Sequence, residues 1–155
     1  MDTIYIHYGN DKFDPERLRV REDRCSYQEK IKPSGLWACD ENAHWGWKEW
    51  CEGEGYNVED LATHFRFKLA PETKLLTINS MREASEYILV DHGSDPSRAA
   101  LIYDIRLDTE RLYKEYDAIY VNLDEDWSAF RDNFIFYTWD VSSLCVWNPD
   151  VVIPV

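Results

Sequence analysis

Hydrophobic positions along the chain come in short runs, several of them alternating with polar residues, and these runs predict short β-strands. Residues 3–8 alternate β-forming side chains and predict an opening strand, which Gly9 and Asn10 end. Similar signals predict further strands at residues 36–39, 65–69, 75–78, 117–123, 134–139, 144–147 and 151–155, the last as an edge strand. Pro71 and Glu72 form a turn, so residues 65–78 are predicted to form a hairpin.

A tryptophan-rich stretch follows the second predicted strand and has helical spacing. Trp47, Trp50 and Cys51 recur at i, i+3 and i+4 and therefore share one face of a short helix. Asp40 or Asn42 is predicted to cap it.

Capping residues predict three more short helices. Asn57 caps the second, Ser80 with Glu83 forms a capping box for a third that runs to about residue 89, and Asp108 begins a fourth that runs to about residue 116. The second helix carries Val58, Leu61 and Ala62 on one side, and Leu107 with Leu112 forms a hydrophobic staple around Asp108. The side chains predicted to face inward from the third helix are Met81, Ala84, Tyr87 and Ile88. The charged residues 14–32 and the polar residues 92–98 are predicted to be loops.

These elements predict an α+β fold: one compact domain over residues 1–155, with about seven short, mainly antiparallel strands and three or four short helices. The length of 155 residues suffices for one hydrophobic core, and a hydrophobic fraction of 45% excludes a disordered chain.

The chain is strongly acidic, with 30 acidic and 17 basic residues and a net charge of −13. Residues 104–132 alone carry nine acidic and four basic side chains. Such a field repels nucleic acid and acidic membranes and favours a protein partner with a basic surface. The N-terminus lacks the features of a signal peptide, and no apolar run reaches the roughly 18 residues of a membrane span, so a cytoplasmic protein is expected.

Several common chemistries find no support in the sequence. The chain has no Gly-x-Ser-x-Gly elbow, no Walker A loop and no Gly-x-Gly-x-x-Gly loop. The four histidines, at positions 7, 44, 64 and 92, are scattered, and the four cysteines, at 25, 39, 51 and 145, form no Cys-x-x-Cys pair. Buried, reduced thiols are expected rather than a zinc site. Asp91 and His92 are adjacent, and adjacent side chains usually point apart, while residues 124–126 are typical of a solvated acidic face.

Two features leave alternatives open. Four of the seven tryptophans lie between Trp37 and Trp50, where flat and stiff side chains form either a corner of the core or the wall of a cleft for a ring. His7 ends the first predicted strand, as a structural hydrogen-bonding group or as a ligand-binding one.

Short motifs in chain order resemble those of the ADP-ribosyltransferase superfamily, particularly the His-Tyr-Glu branch of poly(ADP-ribose) polymerases and small phage and bacterial enzymes. Residues 6–9 (Ile-His-Tyr-Gly) match a strand that ends in His followed closely by Gly. Residues 35–39 (Gly-Leu-Trp-Ala-Cys) match a Gly-aliphatic-aromatic-small motif. Residues 116–119 and later 146–149 (Val-Trp-Asn-Pro) are similar to the closing part, so the resemblance spans nearly the whole chain.

The resemblance implies a split β-sheet and NAD as the cofactor. His7 would hydrogen-bond the nicotinamide-side ribose, and the backbone near Tyr8 or Gly9 would bind the carboxamide. Trp37 would stack on nicotinamide, and Trp45 or Trp47 would close the other side of the ring. An electron-rich indole face suits a cationic ring.

The third motif departs from the family pattern. When Asn148-Pro149 is aligned with the family's Asp-Pro, Ser143 stands where a catalytic Glu is expected. Asp140, three residues earlier, is predicted to be the catalytic acid, brought into the site by a local bulge, with His7 and Trp37 as its catalytic partners and Ser143 beside NAD. Alternatively Asp140 only caps the turn, and the protein binds NAD or ADP-ribose without transferring it, or has lost the site.

Three functional hypotheses follow. The first is an NAD-dependent mono-ADP-ribosyltransferase that modifies a protein or nucleic-acid target, similar to small phage-borne effectors that disable host defence proteins. The second, based on charge, is a non-catalytic acidic inhibitor that occupies a basic surface of a nucleic-acid-handling partner, without binding nucleic acid itself. The third is an accessory domain whose tryptophans all lie in the core.

Overall fold

The computed structural model describes residues 2–18, 31–90 and 105–155. The strands in these ranges are β1 (Tyr5–Tyr8), β2 (Leu36–Asp40), β3 (His64–Leu69), β4 (Leu75–Ile78), β5 (Ile88–Val90), β6 (Ile105–Leu107), β7 (Ala118–Val121), β8 (Ser143–Val146) and β9 (Val152–Pro154). The α-helices are α1 (Trp47–Glu54), α2 (Met81–Ala84), α3 (Thr109–Glu115) and α4 (Trp127–Arg131). Part of the predicted loop 14–32, Cys25, the Asp91-His92 pair and the predicted loop 92–98 lie outside the described residues.

Seven strands form one curled sheet in the order β4-β7-β8-β2-β1-β3-β9. Neighbouring strands are antiparallel except β4 and β7, which are parallel, and β5 and β6 form a separate antiparallel pair. The prediction of an α+β fold with mainly antiparallel strands is confirmed. Among the described residues, no helix is both long enough and apolar enough to cross a membrane.

Strand β2 is shared by two halves of this sheet. Its first residues pair with β8, from Leu36↔Val146 to Ala38↔Leu144, and its last residues pair with β1 through Ile6↔Cys39 and Tyr5↔Asp40. After Ile6 the register between β1 and β2 ends, although β1 continues along β3 as far as Tyr8↔His64. The two strands therefore separate at the carboxyl end of β1.

The centre of the sheet is buried on both faces. Side chains of β7 and β8 alternate between two hydrophobic clusters, with Ile119 and Cys145 in one and Ala118 and Leu144 in the other. Helices α3 and α4 cover the first cluster, into which they bury the side chains of Leu112 and Phe130. Burial on both faces explains why these strands appear in the sequence as continuous apolar runs.

The predicted hairpin over residues 65–78 is wrong. Strand β3 lies between β1 and β9, whereas β4 lies at the opposite edge of the sheet beside β7. Alternation of apolar and polar residues predicts a strand but not its partner, and β9 takes the free edge of β3 through Lys68↔Ile153.

The predicted strand over residues 134–139 is also wrong. The side-chain oxygen of Asn133 accepts hydrogen bonds from the N–H groups of Ile135 and Phe136, and a 3₁₀ helix follows at Phe136–Thr138. Ile135, Phe136 and Trp139 are nevertheless buried, so burial in the core rather than strand pairing explains the apolar and aromatic character. Neither α4 nor the β5–β6 pair was predicted.

The predicted helix caps are only partly correct. Ser80 accepts from the Glu83 N–H at 3.2 Å and Asp108 from the Arg111 N–H at 3.3 Å, as predicted. The third helix ends earlier than expected: α2 passes into a 3₁₀ turn, Ser85–Tyr87, and residues 88–90 join β6 as a strand.

The caps predicted for the first two helices are wrong. Helix α1 begins after Gly46, whose N–H donates to the Glu49 carboxylate at 3.0 Å, rather than at Asp40 or Asn42. Asn57 precedes a 3₁₀ helix, Val58–Ala62, but makes no side-chain cap because its backbone is left-handed at φ 48°. No residue of that helix is buried, and Val58 and Ala62 are exposed.

Candidate functional site

A cavity of about 350 Å³ lies where β1 and β2 separate, and it is called the main cavity below because it holds most of the predicted site residues. Most of its walls come from three distant parts of the chain: the end of β1, the middle of β2 with the start of α1, and the segment that enters β8. Lys32, Asn57 and Asp60 complete the lining. Six of the predicted site residues line it, namely His7, Tyr8, Trp37, Trp47, Asp140 and Ser143. Gly9 and Trp45 are not among its lining residues.

His7 bridges the gap between the separating strands. Its Nδ1–H donates to the carbonyl oxygen of Trp37 at 2.6 Å, and its Nε2 lies 3.0 Å from the side-chain oxygen position of Asn10. Because a carbonyl only accepts, Nδ1 carries a proton, and Nε2 pairs with the side-chain amide of Asn10. Both ring nitrogens are thus engaged, and a ligand at Nε2 has to displace Asn10.

The backbone of Tyr8 faces the gap. The Gly9 N–H donates to the Thr63 carbonyl at 2.9 Å, and the Glu41 N–H donates to the Ile4 carbonyl at 3.0 Å. Since hydrogen-bonding directions alternate along a strand, His7 and Gly9 face β3 while Ile4, Ile6 and Tyr8 face β2. Strand β2 has already turned away at Tyr8. One N–H donor and one C=O acceptor of Tyr8 therefore point toward the cavity, whereas the Gly9 N–H is used within the fold.

Three tryptophans give the cavity its aromatic walls. Trp37 meets Trp139 edge-on, with ring centroids 4.8 Å apart, and Trp47 stacks on Trp50 at 5.1 Å with an interplanar angle of 12°. Trp45 is 53% exposed and lies instead against Gly53 of α1. The two alternatives for the tryptophan-rich stretch therefore both hold in part, because packed rings also form a cavity wall.

Asp140 supplies a carboxylate at the cavity. Burial raises the pKa of the Asp140 carboxyl, and the positive charges of Lys32 and Arg131 act in the opposite direction. Within the described residues, this carboxylate makes no hydrogen bond or ion pair, so no contact supports the alternative that it caps the turn. Arg131 instead holds the preceding residue, donating from Nη1 to the Trp139 carbonyl at 3.0 Å.

Ser143 and Cys39 occupy the floor between β2 and β8. The Ser143 hydroxyl donates to the Val141 carbonyl at 2.8 Å, which fixes the turn that carries Asp140. Burial raises the pKa of the Cys39 thiol to about 11, so this thiol stays neutral near pH 7 and is a poor nucleophile. Cys39, Cys51 and Cys145 are all buried.

Sequence reasoning did not identify four polar or aromatic lining residues: Lys32, Asn57, Asp60 and Trp139. Trp139 adjoins the predicted Asp140, and that adjacency was an available signal. No spacing or motif connects residues 32, 57 and 60 to the other parts of the site, because only the curling of the sheet brings them together.

A smaller cavity of about 140 Å³ lies on the other side of His7. Its lining includes the basic side chains of Lys12 and Arg17 and the aromatic rings of Phe13 and Phe65. The His7 ring lies 5.1 Å from the Phe65 ring, between the two cavities. The carboxylate of Asp14 lines the same cavity, so two cationic side chains and one anionic side chain meet there.

Comparisons with protein-family models, with curated proteins and with solved structures each found no match to this chain. Function is therefore inferred from the site. The main cavity offers aromatic faces, an inward donor–acceptor pair on Tyr8, and the carboxylates of Asp60 and Asp140. These groups suit a flat ring that carries an amide and a positive charge.

Proposed function

We propose that the main cavity binds the nicotinamide end of NAD and that the protein is a mono-ADP-ribosyltransferase acting on a protein or nucleic-acid target. The observation that carries this proposal is that predicted site residues far apart in the sequence come together at one cavity. Six residues singled out by the resemblance come from three distant parts of the chain and line one cavity. The cavity lies where β1 separates from β2, and this separation is compatible with the split β-sheet that the resemblance implies.

The ring end of NAD matches the chemistry of the walls. A primary carboxamide has two N–H donors and one C=O acceptor, so its C=O and one of its N–H groups complement the Tyr8 backbone groups that face the gap. Trp37 and Trp47 provide flat surfaces for the pyridinium ring. A backbone pair of this kind recognises the amide irrespective of the Tyr8 side chain.

Asp140 would act on the ribose. When the bond between C1′ and the ring nitrogen breaks, its electron pair goes to the nitrogen, and nicotinamide leaves as a neutral molecule. The positive charge moves to the ribose, where a nearby carboxylate stabilises it. An acceptor nucleophile then bonds to C1′ and gives its proton to Asp140 or to solvent. In this scheme His7 holds the ribose in place, once Asn10 has yielded its position.

The smaller cavity gives the rest of NAD a place to bind. Lys12 and Arg17 lie on the far side of His7, where a molecule that passes His7 would carry its two phosphates. Arg17 is only loosely paired with Asp14, at 3.8 Å and in an exposed position, so it is able to turn toward a phosphate.

The net negative charge of the protein indicates which kind of acceptor the enzyme would modify. A net charge of −13 favours a target with a basic surface. A phage-type effector that modifies a basic host defence protein fits this charge, and we propose that setting for the enzyme.

The proposal is tested by tryptophan fluorescence during titration with NAD and with ADP-ribose, corrected for absorption by the ligand. We expect saturable quenching that Trp37→Ala abolishes. Trp127→Ala is the matched control, because Trp127 is 45% exposed and does not line the cavity; it should keep the response. Release of nicotinamide, followed with candidate basic acceptors, should be lost in His7→Ala and Asp140→Asn.

The second candidate function is the non-catalytic acidic inhibitor. The specific observation in its favour is that two of the proposed NAD-binding groups already have partners within the fold, since Asn10 hydrogen-bonds His7 and Lys32 lies over Trp37. Absence of any response to NAD or ADP-ribose up to millimolar concentration would contradict the transferase and favour this candidate.

A further inference from the structure

Among the residues that the structure describes, Lys32 is the only lysine or arginine that lines the main cavity. Its ammonium lies over the Trp37 ring, with Nζ 5.5 Å from the ring centroid. The side chain is half-buried, and among the described residues it forms no hydrogen bond or short ion pair. The Lys32 ammonium therefore interacts with the indole face of Trp37 and, through space, with the charge of the Asp140 carboxylate.

The cavity around this ammonium attracts cations. Trp37, Trp47 and Trp139 present aromatic rings, and Asp60 and Asp140 place two carboxylates against the one basic group of Lys32. Aromatic faces that are partly shielded from water bind ammonium, guanidinium and pyridinium groups. A half-buried ammonium without hydrogen bonds to the described residues is held in such a place only where the surroundings compensate for part of its lost hydration.

We propose that the main cavity is a site for organic cations and that Lys32 is its resident cation, which an incoming cationic ring must displace from the face of Trp37. This inference rests on the proposed function for the position of the ring. It goes further by naming the ligand class as a pyridinium-type cation and by identifying Lys32 as the competing, specificity-determining residue.

The exchange of Lys32 for a cationic ring on the face of Trp37 accounts for both the binding of the substrate ring and the release of the neutral product. A pyridinium ring brings its own positive charge to the site and so replaces the one that Lys32 withdraws. After the bond to C1′ breaks, the nicotinamide ring is neutral and loses that electrostatic advantage. Lys32 then returns to Trp37 and displaces the product. The same competition selects the oxidised, cationic ring over a neutral dihydropyridine.

The test uses two probes that share the ring and the carboxamide and differ in charge: 1-methylnicotinamide, a cation, and nicotinamide, which is neutral. Each is titrated into the wild-type protein, Lys32→Met and Lys32→Arg near pH 7, and binding is followed through the indole N–H signals in NMR spectra. Lys74→Met is the matched control, because Lys74 is exposed and does not line the cavity.

We expect the wild type to prefer 1-methylnicotinamide. Lys32→Met should tighten its binding by about two- to thirtyfold, the range that a cation–π contact is worth, and should tighten nicotinamide binding less. Lys32→Arg retains a cation over the ring and should stay close to the wild type, as should Lys74→Met. Thermal unfolding of each variant shows whether its fold is kept, and Lys32→Arg remains informative if Lys32→Met is unstable.

The outcomes separate this inference from the proposed function. Binding of both probes that Lys32→Met leaves unchanged or weakens would overturn the role of Lys32 and leave the ring site intact. A preference of the wild type for neutral nicotinamide would overturn the cation site. Failure of every protein to bind either probe would overturn both proposals.

Discussion

Asp140 illustrates how much a single residue of the site could be predicted. Its place three residues before Ser143 made it a candidate, and it does line the cavity. Its environment could not be predicted, because the opposing charges of Lys32 and Arg131 lie far from it in sequence or across a turn. Lys32 and Asp60 were missed for the same reason: no motif marks a residue whose role depends on long-range proximity.

The raised pKa of Asp140 predicts the effect of neutralising it. The folded state favours the protonated carboxyl, so the ionised form lowers the free energy of unfolding once the pH is above that raised pKa. Asp140→Asn should therefore raise the melting temperature at pH 7 while it abolishes nicotinamide release. The stabilisation should shrink as the pH falls through the raised pKa and should disappear below the ordinary pKa of an aspartate, where the carboxyl is protonated in both states.

Thermal unfolding between pH 4 and pH 8 measures this dependence. Asp132→Asn is the control, because Asp132 is exposed and does not line the cavity. An Asp140→Asn protein that is no more stable than wild type at pH 7 would show that the Asp140 carboxylate is not destabilised by its surroundings.

At the scale of one element, strand β2 also shows which features a sequence pattern predicts and which it does not. Its residues were predicted well, since a short apolar run bounded by Gly35 is typical of a buried strand. Its sharing between β8 and β1 was not predicted from the pattern of residues, because each pair depends on strands more than 25 residues away. The false hairpin at residues 65–78 and the false strand at residues 134–139 have the same origin: local patterns report burial more reliably than partners.

Gly35 sets the distance between β2 and β8. A Cβ at this position would lie 2.2 Å from the Val146 carbonyl oxygen, which is part of the backbone and has little freedom to move. Gly35→Ala should therefore lower the free energy of unfolding by about 1–3 kcal/mol, the usual cost of overpacking. It should also weaken NAD binding, since β2 carries Trp37.

Chemical denaturation measures the first effect and the fluorescence titration the second. Gly53→Ala is the matched control: it lies in α1, its nearest neighbour would be 3.7 Å away, and alanine favours a helix more than glycine does. Equal stability of the two variants would contradict the role assigned to Gly35.

At the scale of the whole molecule, the structure places three thiols in parts that are far apart in sequence. Cys39 lies in β2, Cys51 in α1 and Cys145 in β8, and their exposed fractions are 4%, 0% and 0%. Sequence composition predicted buried, reduced thiols, and for these three the structure confirms their burial.

Burial of these thiols predicts how they react. In a Cys25→Ser background, a thiol reagent at neutral pH should label none of the three rapidly, and all three should react at one common rate set by unfolding of the whole molecule. Mass spectrometry of quenched samples gives the rate for each site. Much faster labelling of Cys51 alone would show that α1, and with it the Trp47 wall, opens independently of the sheet.

The position of β8 in the sheet has a consequence for the order of folding. This strand lies beside β2 at the centre, yet it is made more than a hundred residues later than β2. Closing such long loops is slow and is opposed by chain entropy. During synthesis, the segments around His7 and Trp37 are therefore made long before β8, and β2 cannot pair with β8 until residue 146 has been made. The cavity is one of the last parts of the molecule to form, because residues 139–143 of its lining are made late.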